Sequence, residues 1–518
     1  MKLLKKEAWI CIALFIVAFA VRLPYLFDVP RFIDEWREVG LAAQIARGEV
    51  WPLHNTSHDI GPLHNYVLAG LFKAFGHSLY IPRLYVTTLS AFTVVITYWI
   101  ARQWLSTRLS LVAALLLATN SMHILVTHMA WSNDTTPFFV SLAVLLTLRS
   151  LGQKKLSSWA WAGVVWALAL QSHPSVIAAI VGVLLIIWRE ERLKTFFLAL
   201  ILGYSNMIVH NILTPLDSIL WVKRKDYALY PEWSLKAYFM NIYEMANEFF
   251  RSLSSAFPNG DGWTHLVSML VFIVFVIAFI EGTRKLWSSN GGSLVISIIV
   301  LSFLVIPLLN DQYKFYVWTR YIAYLFPLGF VIIAKGLQSF IAYILTCSTS
   351  MIRQSRRIAA VGLVVTLSLP LYHFYQYAEI YIESGRDNSA EFQAVSSVQS
   401  KNSEHAAPVV VDKQVKQAEA VSKMLRVKGF SSPLVGIDPN EVREAVAFNE
   451  GGKHDAEFYL RWKRTFQSND SDTWYILSLS NKEKLTKFFH IEWRNEEIVQ
   501  GKGGKQTYFI GQVSSVAE

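Results

Sequence analysis

A chain of 518 residues in which 53% of side chains are hydrophobic and 17% charged is too apolar for a water-soluble globular protein of that size. Its formal charge of +10 is not gathered into the basic, aromatic-interleaved stretches of a nucleic-acid module, so no nucleic-acid partner is expected. Its two cysteines, Cys11 and Cys347, each lie in or beside an apolar run, which supports neither a disulfide framework nor a thiolate metal site.

The apolar residues are collected into runs close to the ~20 residues that an α-helix needs to cross about 30 Å of hydrocarbon. In chain order they predict helices near 8–27, 79–103, 109–128, 134–151, 158–172, 174–188, 195–215, 263–282, 293–310, 319–338 and 357–377, or about eleven crossings. The first run follows Lys2, Lys5 and Lys6, but it contains Arg22 and Pro24 and has no small-residue cleavage site, so it reads as an uncleaved helix. The stretch 158–188 is short for two full spans, and its Gln171-Ser-His-Pro174 break predicts two short or tilted helices.

Lys and Arg alternate between the short loops. Arg102 and Arg108, then Arg149, Lys154 and Lys155, then Arg189, Arg192 and Lys194, then Arg284 and Lys285, then Arg353, Arg356 and Arg357 fall on one side, whereas the turns near 129–133 and 173 carry none. By the positive-inside rule the amino terminus is inside, and the carboxyl terminus and two long segments, 28–78 and 216–262, are outside.

Beyond about residue 379 the composition turns polar. A β-like run at 408–412, a helical run at 414–427 and further strands at 434–437, 474–479 and 506–513 predict a small α/β domain. The expected architecture is an all-α polytopic membrane domain over 1–378 followed by an extracytoplasmic α/β domain over 379–518. The second domain is expected to be accessory, because it has no compact acid/base or phosphate-cradling motif, and Gly501-Lys-Gly-Gly504 reads as a hairpin turn.

The chemistry-bearing residues cluster in the outer segments. Arg31-Phe-Ile-Asp-Glu-Trp-Arg-Glu38 leads into a helix with Val39, Ala42, Ala43 and Ala46 at helical spacing, which predicts an amphipathic helix on the outer membrane surface. Asp34 or Glu35, held there, is placed to deprotonate an acceptor hydroxyl. Asp34 is also a natural N-cap, and adjacent helical residues point about 100° apart, so the two are a poor acid/base pair by themselves. Further along, Ser57-His-Asp-Ile-Gly-Pro-Leu-His-Asn-Tyr66 offers His58, Asp59 and His64 to a substrate or a divalent cation. Their spacing fits no tight ligand pattern, and metal dependence stays open. His128-Met-Ala-Trp-Ser-Asn-Asp134 sets Asp134 at the outer end of a helix, where an acid needs a partner, a job or a capping role. Trp221, Lys223, Arg224, Lys225, Tyr227, Tyr230 and Trp233 mark 216–262 as a segment that covers a site, although an interfacial aromatic belt has the same composition.

Over roughly 5–380 the chain resembles the GT-C glycosyltransferases related to protein O-mannosyltransferases and to the transferase that adds aminoarabinose to lipid A. The resemblance rests on ordered short elements: Asp34-Glu35 after the first helix, Gly61-Pro62-Leu63-His64, Arg83-Leu84 entering the second helix, and Ser132-Asn-Asp134. Leu168-Ala-Leu-Gln-Ser-His173 and Arg320-Tyr-Ile-Ala-Tyr-Leu-Phe-Pro327 complete the series. The Glu-Lys that some relatives carry before the Pro element is absent, and His173 stands where the family has Lys.

The resemblance implies an inverting transfer from a polyprenyl-phosphate-linked sugar, with Asp34 as base and Glu35 and Asp134 orienting. The acceptor would be a protein, lipid or polysaccharide at the outer face of a bacterial or archaeal inner membrane. The departing phosphate needs positive charge, for which Arg83, Lys314 and Arg320, each at or beside an outer helix end, are the candidates. Arg320 could equally snorkel to the interface. The rival readings are a secondary transporter, which would bind solute at the midplane through repeats and broken helices, and a lipid-binding scaffold without transfer activity.

Overall fold

The computed structural model describes residues 2–30, 32–151, 153, 155–224, 234–255, 262–309, 319–345, 349–401, 408–412, 418–430, 434–435, 462, 465–466 and 472–515. The chain divides into two compact units. The first comprises 1–26, 51–66 and 83–377, and the second 27–50, 67–82 and 378–518. The outer segment 28–78, expected within the membrane domain, is therefore shared between them.

The first unit is a helical bundle in which the expected apolar runs form Lys2–Ala20, Ile81–Ala101, Thr107–Thr119 with Ser121–Val126, Thr136–Ser150 and Leu156–Ser172. Val176–Ile187, Leu193–Gly203 with Ser205–Leu213, Gly262–Trp287, Gly292–Leu309, Phe326–Leu345 and Thr349–Glu383 follow. Among the described residues three helices are long and apolar enough to cross a membrane, or four if the pair bent by 60° at Tyr204 is one span. In Thr264–Trp287 only 22% of the most apolar window is buried, against 78% in Thr319–Ser339. The exposed face of the former carries Leu266, Leu270, Ile273, Ile277 and Ile280, a continuous apolar stripe whose fitting solvent is lipid.

Two polar devices hold one region of this bundle. Arg22, fully buried, donates to the carbonyls of Ala18 (2.7 Å) and Ala118 (3.0 Å) and to Ser90 Oγ (2.7 Å), and lies 2.8 Å from His123 Nδ1. A buried guanidinium is tolerable because its donors are occupied in this way. Asn120 breaks the run at 109–128: its side chain accepts from His123 N (2.9 Å) and caps a new helix, while its amide donates to Ser252 O (2.7 Å).

Ser252 belongs to Leu235–Ser254, a helix within the segment expected as an outer loop. Its buried residues Asn241, Met245, Phe249 and Leu253 recur every fourth position, one stripe of an α-helix. Asp217–Arg224 is a second helix in that segment.

The second unit contains a mixed five-stranded sheet, β1 (Val409–Asp412), β2 (Leu434–Val435), β3 (Trp474–Ser478), β4 (Glu492–Gln500) and β5 (Thr507–Ser515), in the order β2-β1-β3-β5-β4. β1 runs parallel to β2 and β3; β5 runs antiparallel to β3 and β4. β4, which the sequence reading missed, is an edge strand with mostly exposed, charged residues, a composition that protects an edge and hides its period. Residues 501–506 turn the chain into β5, with Gly501 N donating to Gln506 O at 2.9 Å.

Candidate active site

The expected carboxylate pair lies in the second unit, on the helix Ile33–Arg47. Its buried face is Glu35, Trp36, Glu38, Val39, Ala42 and Ala43, and it ends where Gly48 takes φ 77°, open to glycine, and returns its N–H to the last turn. That face packs against Ala418–Val427, and Trp36 meets Phe392 at 5.5 Å between ring centroids. The stripe expected on lipid is thus covered by protein; an apolar stripe has the same period whichever apolar partner covers it.

Phe32, not Asp34, occupies the N-cap, with no side-chain capping bond. Asp34 sits in the first turn, where the helix dipole favours a carboxylate. It is 40% exposed and 3.0 Å from Arg37, which reaches Glu419 at 3.1 Å. Glu35, by contrast, is fully buried.

A second group of candidates converges in the first unit. The turn His128–Asp134 passes into a short 3-10 helix, Ser132–Thr135, ahead of Thr136–Ser150. His64 Nε2 lies 3.1 Å from the Ala130 carbonyl, and burial pushes this imidazole down to about 4. It is therefore neutral at physiological pH and donates Nε2–H to that carbonyl. Asp134 is buried, and the cap of Thr136–Ser150 is Thr135, so Asp134 does not have the capping role that its position offered. Asn133 beside it is fully buried, and its side-chain amide finds no hydrogen bond among the described residues.

Arg320 completes the group. Its guanidinium lies 4.2 Å from the Trp131 ring centroid and 5.0 Å from that of Tyr321, a cation–π arrangement that fixes the charge in place. His173 stacks on Tyr321 at 4.8 Å; burial first, and then the Arg320 charge, push this imidazole down to about 3. The residue in the family's Lys position is therefore uncharged, and Arg320 is the fixed cation here. Trp131 and Tyr321 escaped the sequence reading because single aromatics at helix ends look like an interfacial belt.

The remaining candidates do not join this group through any contact described. Arg83 is fully buried and donates to Leu26 O at 2.8 Å, and Asp59 lies in the loop anchored by Gly61 N to Gln171 O at 2.9 Å. Lys314 lies outside the described residues, as do Lys225, Tyr227, Tyr230 and Trp233. His58 does not share a ligand set with Asp59 or His64. Among the described residues the group with metal-ligand spacing is His54, His58 and His210. Burial holds the His54 imidazole below its ordinary value.

Comparison with known proteins extends this picture. Residues 59–213 match the family described as dolichyl-phosphate-mannose-protein mannosyltransferase. The fold is similar to that of ArnT from Cupriavidus metallidurans bound to undecaprenyl phosphate, at 12% identity and a TM-score of 0.61, covering 99% of each chain. The apo state of that protein matches at 11% identity and 0.58, again over 99% of each chain. The apo Archaeoglobus fulgidus oligosaccharyltransferase matches at 11% and 0.50, over 82% of this chain and 64% of that one. No curated protein sequence matches the chain.

Proposed function

We infer that this chain, a glycosyltransferase of the GT-C superfamily, moves a sugar from a polyprenyl-phosphate-linked donor to an acceptor hydroxyl at the outer face of a cell membrane. The donor class rests most directly on one observation, the match of 59–213 to a family named for a dolichyl-phosphate sugar. The fold shared with a protein bound to undecaprenyl phosphate agrees with it. Outer-face placement follows from the alternation of Lys and Arg between the loops.

In the proposed reaction Asp34 takes the proton of the acceptor hydroxyl, whose oxygen attacks the anomeric carbon. The bond from that carbon to the phosphate oxygen breaks, and polyprenyl phosphate leaves with inversion. Exposure favours Asp34 as base: a hydroxyl of a large acceptor can reach a 40% exposed carboxylate, whereas Glu35 and Asp134 are buried and suited to orienting. Arg320 is the cation best fixed to receive a phosphate, since a guanidinium offers paired donors to its oxygens. The direct test is incubation of the purified protein with a panel of radiolabelled polyprenyl-phospho-sugars. Donor hydrolysis or transfer by the wild type, lost in Asp34→Asn, is expected; no turnover of any donor would count against the reading and favour a transporter or scaffold.

A further inference from the structure

Four charged side chains of alternating sign run in a line across the packed helices Ile33–Arg47 and Ala418–Val427, all within the second unit. Arg37 Nη1 donates to Asp34 Oδ1 at 3.0 Å. The same guanidinium turns its other edge to Glu419, with Nε at 3.3 Å and Nη2 at 3.1 Å from Oε1. Lys423, one turn further along the second helix, reaches that oxygen at 2.9 Å. Lys423 first, and then Arg37, hold the Glu419 carboxyl below the usual carboxylate range, so it is ionised at physiological pH. Asp34 Oδ2 makes no hydrogen bond among the described residues.

An arginine and a carboxylate left to themselves favour a two-pronged pair in which both carboxylate oxygens accept. Asp34 and Arg37 are three residues apart on one helix, close enough to form such a pair without help. They do not, because Glu419 takes the edge of the guanidinium formed by Nε and Nη2 and leaves Nη1 to Asp34. The buried face of the second helix, Ala420, Val421, Met424 and Leu425, fixes where Glu419 stands, and Lys423 fixes its rotamer. Every member of the line is partly exposed, and each such pair contributes roughly 0–1 kcal/mol, so the arrangement does little for stability. Its consequence is geometric: one oxygen of Asp34 is tethered and the other is presented.

We propose that Glu419 is a positioning residue for the transfer, holding Arg37 away from a two-pronged grip on Asp34 and so keeping Oδ2 open to the acceptor hydroxyl. This rests on the reading of Asp34 as base. The α/β region then contributes a side chain that acts through Arg37 and touches neither substrate.

The test removes the second carboxylate from the full chain in lipid nanodiscs, with the radiolabelled polyprenyl-phospho-sugar that the wild type turns over. Glu419→Ala should lower kcat by about tenfold and leave the donor KM and Tm unchanged, a split that loss of folding or of donor binding does not give. Glu419→Gln keeps a neutral oxygen for Arg37 and should lose less. A lysine cannot grip two oxygens as a guanidinium does, so Arg37→Lys/Glu419→Ala should be no slower than Arg37→Lys alone. Independently of activity, a cryo-EM structure of Glu419→Ala should show Arg37 bonded to both oxygens of Asp34. Full turnover in Asp34→Asn would remove the base reading and this inference together. With Asp34→Asn inactive, the inference alone is overturned if Glu419→Ala turns over within about twofold of the wild type, or if Arg37 stays on Oδ1 alone in its structure.

Discussion

Asp34 lies on the exposed side of the first helical turn, ion-paired with Arg37, whereas Glu35 is one residue and about 100° further round and fully buried, so substitution should separate their roles. An exposed ion pair contributes roughly 0–1 kcal/mol, and Asp34→Asn should therefore leave Tm nearly unchanged. If Asp34 is the base, the same substitution should lower kcat by about 100-fold or more, a larger loss than Glu35→Gln or Asp134→Asn produces. Normal turnover in Asp34→Asn together with an inactive Glu35→Gln would move the base to Glu35.

His64 allows a test of a different kind. Its folded value of about 4 is below the ordinary 6.5, so the unfolded chain takes up the proton first on acidification. Its contribution to stability is complete above pH 6.5 and is lost as pH falls towards 4, by on the order of 3 kcal/mol. A pH series of melting curves should show this decline, and His64→Gln should flatten it. An unchanged slope would mean that the imidazole is not held neutral.

At the scale of elements, the lipid-facing helix Gly262–Trp287 meets Phe326–Leu345 by backbone contact. A Cβ at Gly282 would overlap the Ile332 carbonyl oxygen, and one at Gly336 the Ala278 carbonyl, so each helix offers a glycine to the other's backbone. Close approach through small residues is how helices associate in lipid, where apolar burial alone gives no preference between a neighbour and an acyl chain. Gly336→Leu should broaden the gel-filtration peak in detergent and lower Tm by several degrees. Gly362→Leu, where a Cβ meets nothing within 4 Å, should do neither. Equal behaviour of the two variants would contradict this packing.

At the scale of the whole molecule, the unit that carries the sheet also carries the Asp34 helix. Arg37 bonds Glu419, Trp36 meets Phe392, Lys502 reaches Asp28 at 2.7 Å, and Asn388 N donates to Asp28 O at 3.0 Å. The region after 379, expected to be accessory, thus packs the helix proposed to hold the base. Truncation after residue 385 should abolish transfer even if the membrane helices still form, as circular dichroism would show; retained transfer would return the domain to an accessory role. Topology is tested separately: a reporter fused after residue 380 should be active only outside, and cytoplasmic activity there would put the proposed site on the wrong face.

The membrane class, the helical character of each apolar run and the α/β nature of the tail were legible in the chain itself. Hydrocarbon thickness and backbone hydrogen bonding demand apolar stretches of a set length, and strand and turn residues leave local signals. Asp34, Glu35 and Asp134 were legible as acids at helix ends. Their environments were not. Which of two adjacent carboxylates is buried depends on what covers the helix face, and that cover comes from residues more than 350 positions away, at Phe392 and Glu419. The gathering of His54 and His58 with His210 and Asp217 was equally invisible, because no short spacing links the two stretches in the sequence. Periodicity is local and is written in the sequence; side-chain convergence is a product of packing, which only the folded chain decides.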